Sequence, residues 1–276
     1  MPLYDLSYRR FEGPRTSRFR RSFALARSAA SLLLRRRSFL LLLAVSWIPA
    51  VVRAVQIYVA RQFPEAPDFF TITPETWREF LGQQVRFLPV VLVSLATGAS
   101  AIASDFASGA FTIYLSKPIS RFDYVLGKAM PVAGAVSAVT LAPALALLLL
   151  QLSLAPDFAL LSKAPWLPLA VTAYSLFLAL YFTLSVLAVS SLCRSGRVAG
   201  AGFAALVFGS EIVARTATSR VFGAPRFLSL NGSAIDAGRW FFGESAAVAP
   251  LVVMIGVIAL SALVLDRRLR SSEEAQ

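Results

Sequence analysis

Residues 167–192 read LPLAVTAYSLFLALYFTLSVLAVSSL, a run without a single charged residue. A helix that crosses roughly 30 Å of hydrocarbon at about 1.5 Å per residue needs about 20 residues of this character. Five further stretches are apolar enough to do the same, although the second and fifth of the six are close to the lower length limit. The six predicted spans are 38–60, 87–103, 129–152, 167–192, 198–213 and 246–265.

Composition agrees with a membrane protein. Hydrophobic residues make up 57% of the chain, and the mean hydropathy is +0.67, more apolar surface than a water-soluble core could absorb. Lipid admits only helices or closed β-barrels, and the continuous apolar runs lack the alternation of a barrel strand. The sequence therefore predicts an all-α membrane protein with six transmembrane helices.

Arginine is concentrated ahead of the first span. Residues 1–37 hold ten arginines and only two acidic residues, Asp5 and Glu12. If the N-terminus is cytoplasmic, the predicted cytoplasmic segments hold 18 Lys and Arg residues and the outer loops hold 8. The positive-inside rule then places both termini in the cytoplasm. Arginines that adjoin a span serve orientation and anionic lipid, so no nucleic-acid partner is predicted.

The basic segment also has helical periodicity. Its apolar residues recur at steps of three and four, which places them on one helix face. They are Phe19, Phe23, Ala26, Ala30 and Leu33. We expect residues 15–37 to form an amphipathic interfacial helix in the headgroup layer, with a disordered basic tail as the alternative. Three parts follow: 1–37 as basic cytoplasmic tail and interfacial helix, 38–265 as the six-span domain, and 266–276 as a cytoplasmic C-terminal tail.

Two predicted outer segments carry helix signals. Thr73 is a suitable N-cap and Pro74 a suitable first residue for a short helix that ends near Gln83. Its side chains Trp77 and Phe80 are expected to rest on the outer membrane interface. Residues 214–245 mix arginines with aromatic residues and glycines. They predict one or two short helices that re-enter the outer interface before the last span.

The residue inventory excludes several kinds of site. Histidine is absent and Cys193 is the single cysteine, so a transition-metal or Cys/His catalytic site is not expected. The only Gly-Lys pair, Gly127-Lys128, lacks the preceding glycine of a phosphate-binding loop. We therefore predict a non-catalytic chain.

Residues 104–128 join the second and third predicted spans on the cytoplasmic side and read SDFASGAFTIYLSKPISRFDYVLGK. Within them, Phe111, Tyr114, Leu115 and Pro118 form an i, i+3, i+4, i+7 stripe that is too short to span. Large apolar side chains that face the cytosol need a partner or the interface. This pattern predicts a short amphipathic helix that docks a cytoplasmic protein.

Gly109-Ala110, the apolar stretch after it, LSKPISR at 115–121 and LGK at 126–128 resemble the ABC-2 family of ABC-transporter permeases. The resemblance is to its single-subunit bacterial branch, which includes nitrous-oxide-reductase maturation and sodium-export permeases. The basic helix, six spans and outer re-entrant segment resemble the same family. One departure is that the family often has glutamates before a Gly-Thr step, whereas Asp105 is the only acid here and Gly109-Ala110 replaces Gly-Thr.

The resemblance implies the permease subunit of an ATP-driven exporter in a bacterial cytoplasmic (inner) membrane. Two such subunits would pair as a homodimer, and each would dock a separate ATP-binding subunit through a cytoplasmic coupling helix. That partner would bind ATP and Mg, and this chain would bind no cofactor. The implied ATPase-coupling residues are Asp105, Phe106, Ser108, Gly109, Phe111, Thr112, Tyr114, Leu115, Lys117, Pro118 and Arg121.

A transport route would have to lie between two copies, because a single small bundle fills its own centre with side chains. The second and fifth spans are rich in small residues and are predicted to line a translocation route or a dimer interface. The candidate residues are Thr97, Phe203, Leu206 and Glu211. Glu211 also stands four residues before Arg215, so a helix-end ion pair is the alternative for this residue.

Three other classes of function compete with an exporter. A membrane anchor for a cytoplasmic motility or maturation complex would use the same docking helix. An ion-coupled secondary transporter would need acidic residues or broken helices near the midplane, and only Glu211 comes close. An intramembrane enzyme would need catalytic side chains that are not evident. Transport stimulated by ATP would separate an exporter from an anchor.

Overall fold

The computed structural model describes residues 18–62, 73–110, 120–154, 164–220, 228–244 and 248–274. Every regular element in these ranges is a helix. The helices are α1 (Arg18–Leu34), α2 (Arg37–Ser46), α3 (Ile48–Gln62), α4 (Pro74–Arg86), α5 (Pro89–Gly98), α6 (Ala103–Ala107), α7 (Arg121–Val139), α8 (Leu141–Leu154), α9 (Leu167–Leu192), α10 (Gly196–Arg220), α11 (Leu230–Phe241) and α12 (Ala249–Glu274).

Six helical stretches among the described residues are long and apolar enough to cross a membrane, which confirms the six predicted spans. Spans 1 to 6 are Arg37–Ala60, Pro89–Ala107, Arg121–Leu154, Leu167–Leu192, Gly196–Thr216 and Ala249–Ser271. Span 3 begins earlier than the predicted residue 129. The Leu-Gly-Lys motif therefore lies inside a helix rather than in a loop, because Ser120 caps that helix at its first turn.

Span 4 lies at the centre of the bundle. In its apolar 18-residue stretch, 67% of the residues are buried inside the protomer, against 17% for span 1 and 22% for spans 5 and 6. Its side chains Tyr174, Tyr181 and Phe182 are fully buried. Spans 1, 5 and 6 form the perimeter, where many of their apolar side chains are exposed.

Proline divides two of the spans into consecutive helices. Span 1 breaks at Trp47, two residues before Pro49, and span 3 breaks at Thr140, three residues before Pro143. Proline is tolerated in the first turn of a helix because its missing N–H would have no partner there. The Thr140 hydroxyl donates to the Val136 carbonyl at 2.9 Å, so the break leaves this buried side chain satisfied.

Helix α4 begins as predicted but lies deeper. Thr73 is its N-cap, Pro74 its first residue, and a capping box with Thr76 fixes the start. The prediction that Trp77 and Phe80 rest on the membrane interface is wrong, because these side chains are 2% and 0% exposed. They pack in the same hydrophobic core as spans 2 and 4, so α4 closes one end of the bundle.

Helix α11 closes the same end beside α4. The Tyr174 hydroxyl donates to the Ala234 carbonyl at 2.6 Å, and the Tyr181 hydroxyl donates to the Leu230 carbonyl at 3.2 Å. Among the described residues of 214–245, the helix of span 5 continues through residue 220. The predicted re-entrant segment then forms one helix, α11. This helix is anchored to span 4 by hydrogen bonds to its backbone.

Helix α1 forms where the amphipathic helix is predicted, but its predicted stripe is divided between two environments. Ala26 is 6% exposed and packs inward, whereas Phe23 is 53% exposed. Contact with span 3 is made by Leu25, which lies against Gly127. A Cβ at residue 127 would lie 2.6 Å from Leu25 Cδ2 and 3.0 Å from Leu25 Cβ. The glycine of the Leu-Gly-Lys motif therefore lets α1 approach span 3 closely.

We expect Gly127→Ala to destabilise the protein by about 1–3 kcal/mol, because the added methyl overpacks this contact. Gly134→Ala on the same helix is the matched control, since a Cβ there would meet no atom within 4 Å. The control should hold or raise the melting temperature measured in detergent. Adding Leu25→Ala to Gly127→Ala should restore part of the loss; a double variant as unstable as Gly127→Ala would contradict the proposed contact.

Candidate functional site

The strongest polar cluster of the described chain lies at the end of the bundle opposite α4 and α11. Asp105 Oδ2 lies 2.6 Å from Lys128 Nζ, and the Tyr124 hydroxyl donates to the same oxygen at 2.7 Å. The Asp105 and Lys128 side chains are each 12% exposed, and Tyr124 is fully buried. Tyr124 and Lys128 are four residues apart and share one face of span 3. The contacts of Asp105 with Lys128 and Tyr124 therefore join the last turn of span 2 to the first turns of span 3.

Span 2 is interrupted just before Asp105, and span 4 holds the interruption in place. Ser190 Oγ accepts hydrogen bonds from the backbone N–H groups of Ile102 at 3.1 Å and Ala103 at 3.0 Å. The same hydroxyl donates to the Ala99 carbonyl at 2.8 Å. Ser190 is fully buried, so these bonds satisfy backbone groups that would otherwise lack partners. They fix the direction in which α6 presents Asp105.

Span 3 has its own start signal. Ser120 Oγ accepts from the Asp123 backbone N–H at 3.2 Å, and the Ser120 N–H donates to Asp123 Oδ2 at 3.2 Å. This reciprocal pair is a capping box, and it places the acidic Asp123 at the positive end of the helix dipole. The Ser-Arg-Phe-Asp sequence thus has a local structural role. Phe122 within it is 72% exposed.

The C-terminal helix also reaches this end. The Arg268 guanidinium lies 5.7 Å from the centre of the Phe106 ring, and its Nε donates to the Ser191 carbonyl at 3.3 Å. Phe106 is half-buried and packs against the core. Spans 2, 4 and 6 are therefore connected through one arginine side chain.

The predicted coupling residues fall into two groups. Phe111, Thr112, Tyr114, Leu115, Lys117 and Pro118 lie outside the described residues. Asp105, Phe106, Ser108, Gly109 and Arg121 lie on either side of that gap. Ser108 and Gly109 are exposed, and Gly109 has φ of +68°, a left-handed conformation in which a side chain would be strained. Asp105 differs from its neighbours, because its carboxylate is engaged within the protomer.

The residues predicted for a translocation route or dimer interface differ in their exposure. Thr97 is 5% exposed and donates to the Val93 carbonyl of its own helix at 2.8 Å, while Phe203 is fully buried. These two side chains face the inside of one protomer, so they are not available to a surface shared with a second subunit. Leu206 is 45% exposed. Glu211 pairs with Arg215 at 2.9 Å, the helix-end ion pair given as the alternative for this residue.

The model of the ABC-2 family transporter protein matches residues 25–226. The chain belongs to this family. It is a multi-pass membrane protein that carries an ABC-2 transporter membrane domain, the permease part of an ABC transporter. The match begins within α1 and includes spans 1 to 5 and the whole Asp105 cluster. Members of this family generally work with an ATP-binding subunit. No match was found among curated proteins.

Sequence reasoning identified Asp105 and the Leu-Gly-Lys motif but did not connect them. The Ser120-to-Asp123 spacing is a capping-box signal that could have placed the start of span 3 correctly. Once span 3 is known to start at Arg121, Lys128 lies four residues after Tyr124 in the same helix, so the two side chains share one face. The role of Ser190 has no comparable signal, because an isolated serine in an apolar span most often bonds its own helix.

We expect Asp105→Asn to destabilise the protein by about 3–5 kcal/mol, because it removes the carboxylate that lies 2.6 Å from the largely buried Lys128 ammonium. Lys128→Met should have a loss of similar size for the converse reason. The double variant Asp105→Asn/Lys128→Met should lose less than the sum of the single losses. Melting temperatures of the four proteins form a double-mutant cycle, and strictly additive losses would contradict the pairing.

Proposed function

We propose that this chain is the permease subunit of an ATP-driven exporter, that it works as a homodimer, and that each copy docks a separate ATP-binding subunit through residues 106–115. The family match over residues 25–226 supports the permease role. The observation that carries the coupling proposal is the Asp105–Lys128 pair. It ties together the two spans that flank the docking segment.

This pairing would make spans 2 and 3 move together. Residues 108–120 connect the two spans. The ion pair joins residues of the two spans that are 23 apart in sequence, at a distance of 2.6 Å. A force applied to the connecting segment by a partner would therefore act on both spans rather than bend one of them. Ser190 and Arg268 extend the connection to spans 4 and 6. Packed, hydrogen-bonded contacts of this kind can pass a displacement from one helix to the next.

In this proposal Asp105 is a positioning residue. Its carboxylate is engaged by Tyr124 and Lys128, so it orients the docking segment instead of pairing with the ATPase. Contact with the partner would fall to the stripe Phe111, Tyr114 and Leu115. Phe122, which is 72% exposed at the same end, is a further contact residue that the sequence pattern did not select.

The chain itself would neither hydrolyse ATP nor bind a cofactor. Its sequence lacks a phosphate-binding loop, and a partner subunit would supply both the nucleotide site and the Mg ion. A homodimer would use the perimeter of the bundle, with Leu206 and Glu211 of span 5 near the shared surface. The substrate would pass between the two copies.

Both termini and the Asp105 cluster would lie in the cytoplasm of a bacterial cell, with α4 and α11 on the outer side of the inner membrane. The asymmetry of 18 against 8 Lys and Arg residues supports this orientation. A membrane anchor for a cytoplasmic complex is the second candidate, since it would use the same docking segment. ATP-dependent accumulation of solute in inverted vesicles, absent with a hydrolysis-dead ATPase, would favour export over anchoring.

Replacing Phe111 and Tyr114 together with Asp should abolish co-purification with the co-expressed ATP-binding subunit, because two carboxylates remove the apolar stripe. Phe87→Asp is the control. Phe87 is 66% exposed at the opposite end of the bundle, so this variant should retain the partner. Membrane insertion should be unchanged in both proteins. Retention of the ATPase by the double variant would refute docking through this stripe.

Single cysteines should report the orientation in a Cys193→Ser background. Ser271 and Glu75 are exposed residues at opposite ends of the bundle. We expect an impermeant maleimide to label Glu75→Cys in intact spheroplasts and Ser271→Cys only in inverted vesicles. Labelling of both positions from one side would contradict the six-span topology, and a reversed result would contradict the cytoplasmic termini.

A further inference from the structure

An apolar groove lies between α1, the start of span 1 and the first half of span 3. Its volume is about 500 Å³, and Arg27 and Ser31 are its two polar lining residues. The space exists because much of the lining is small, namely Ala26, Ala30, Gly134, Ala135 and Ala138. A Cβ on Gly134 would meet no atom within 4 Å, so the groove is open above this glycine. Its size is that of a ligand site rather than a packing defect.

Three contacts frame the groove. Leu25 packs against Gly127 where α1 meets span 3. The Trp47 indole N–H donates to the Ala138 carbonyl at 3.0 Å, which joins span 1 to span 3 farther along. Only two residues separate α1 from α2, so α1 and span 1 stay together at the third corner. The groove is therefore a gap that packed helices hold open.

The depth of the groove matches one leaflet of a bilayer. Gly127 and Ala138 are 11 residues apart, or about 16 Å along the helix axis. Half of a hydrocarbon core of roughly 30 Å is about 15 Å. Lys128 is the last charged residue of span 3, so the groove extends from the charged end of this span into its uncharged part. An apolar gap at this depth holds no stable water, and its occupant must be apolar.

The volume of the groove favours a single flexible chain over a helix. A helix with its side chains is at least about 10 Å across, so a 16 Å length would fill about 1,250 Å³. That is more than twice the volume of the groove. A helix of a second copy or of a partner therefore does not fit inside the frame. An acyl chain carries no side chains and can follow the open surface at Gly134.

The charge around the groove selects an anionic headgroup. The exposed Arg27 makes no ion pair or hydrogen bond with the described residues. The neighbouring acidic side chain on span 3, Asp123, is 4% exposed and bonds to the Ser120 backbone.

This positive charge does not depend on side chains outside the described ranges. Residues 13–37 hold eight arginines and no acidic residue, whereas residues 1–12 balance two arginines against two acidic residues. Residues 111–119 add one lysine and no acidic residue. Basic segments at a membrane surface attract anionic lipids.

We propose that this groove binds one acyl chain of an anionic phospholipid of the phosphatidylglycerol type, with the lipid phosphate beside Arg27. The chain fills the gap over Gly134, and the lipid becomes a fourth element that packs against α1, span 1 and span 3. The assignment concerns a binding site and does not depend on docking of an ATPase or on export.

Native mass spectrometry of the full chain with phosphatidylglycerol and phosphatidylcholine of matched acyl chains tests this assignment. The two lipids offer the same chains to the groove, but only phosphatidylglycerol has a net negative charge. We expect phosphatidylglycerol to bind about fivefold more tightly, the effect of one arginine near an anionic headgroup. Equal binding of the two lipids would overturn the assignment.

A pair of arginine variants locates the headgroup. Arg27→Gln should reduce the preference for phosphatidylglycerol toward one. Arg197→Gln is the matched control, because Arg197 is exposed at the same end of the bundle but lies on span 5, outside the groove. The control should keep the preference. Equal losses in the two variants would show a general attraction to the basic surface and would overturn the site.

A pair of glycine variants locates the acyl chain. Gly134→Leu should weaken the binding of both lipids, because the new side chain fills the groove. Gly256→Leu on span 6 is the matched control, since a Cβ at either glycine would meet no atom within 4 Å. Leucine is a better helix former than glycine, so both variants are expected to fold. Unchanged lipid binding in Gly134→Leu would mean that the chain lies elsewhere or that residues 1–17 fill the groove, and either result would overturn the proposal.

Discussion

Three hydroxyl groups on span 4 satisfy backbone groups of other helices in a medium that offers no water. Ser190 bonds the interrupted backbone of span 2 at one end of the bundle, and Tyr174 and Tyr181 bond the backbone of α11 at the other. Unsatisfied N–H and C=O groups cost several kcal/mol in hydrocarbon, so irregular backbone persists there only where protein supplies partners. The interruption of span 2 at one end and the position of α11 at the other therefore both depend on the central position of span 4.

At the Asp105 end, the Asp105–Lys128 ion pair joins spans 2 and 3. Burying two charges is unfavourable unless geometry and further hydrogen bonds compensate. Here Tyr124 supplies the additional bond, and the 5.7 Å approach of Lys128 Nζ to its ring centre adds a cation–π contact. A hydrophobic pair could hold the helices as firmly. A charged pair also favours one register of span 2 against span 3, because Asp105 and Lys128 meet in one alignment of the two helices.

The opposite end is closed by two helices joined through one carboxylate. Glu244 lies 2.6 Å from Arg78 Nε of α4 and 2.9 Å from Arg239 Nε of α11. The hydrogen bond to Glu244 raises the pKa of the Arg239 guanidinium. Gly82 and Ile235 pack where the two helices meet. The result is a fixed cover over this end of the bundle.

The sequence by itself determined the six spans, the basic segment that precedes them and the Thr73 start of α4, because these depend on composition, length and local capping. Tertiary structure decided which apolar faces are buried. Leucine facing lipid and leucine facing protein are equally apolar, so periodicity could not show that Trp77, Thr97 and Phe203 are internal. It also decided that Asp105 meets Lys128, since contacts between distant residues depend on how the helices pack and not on local pattern.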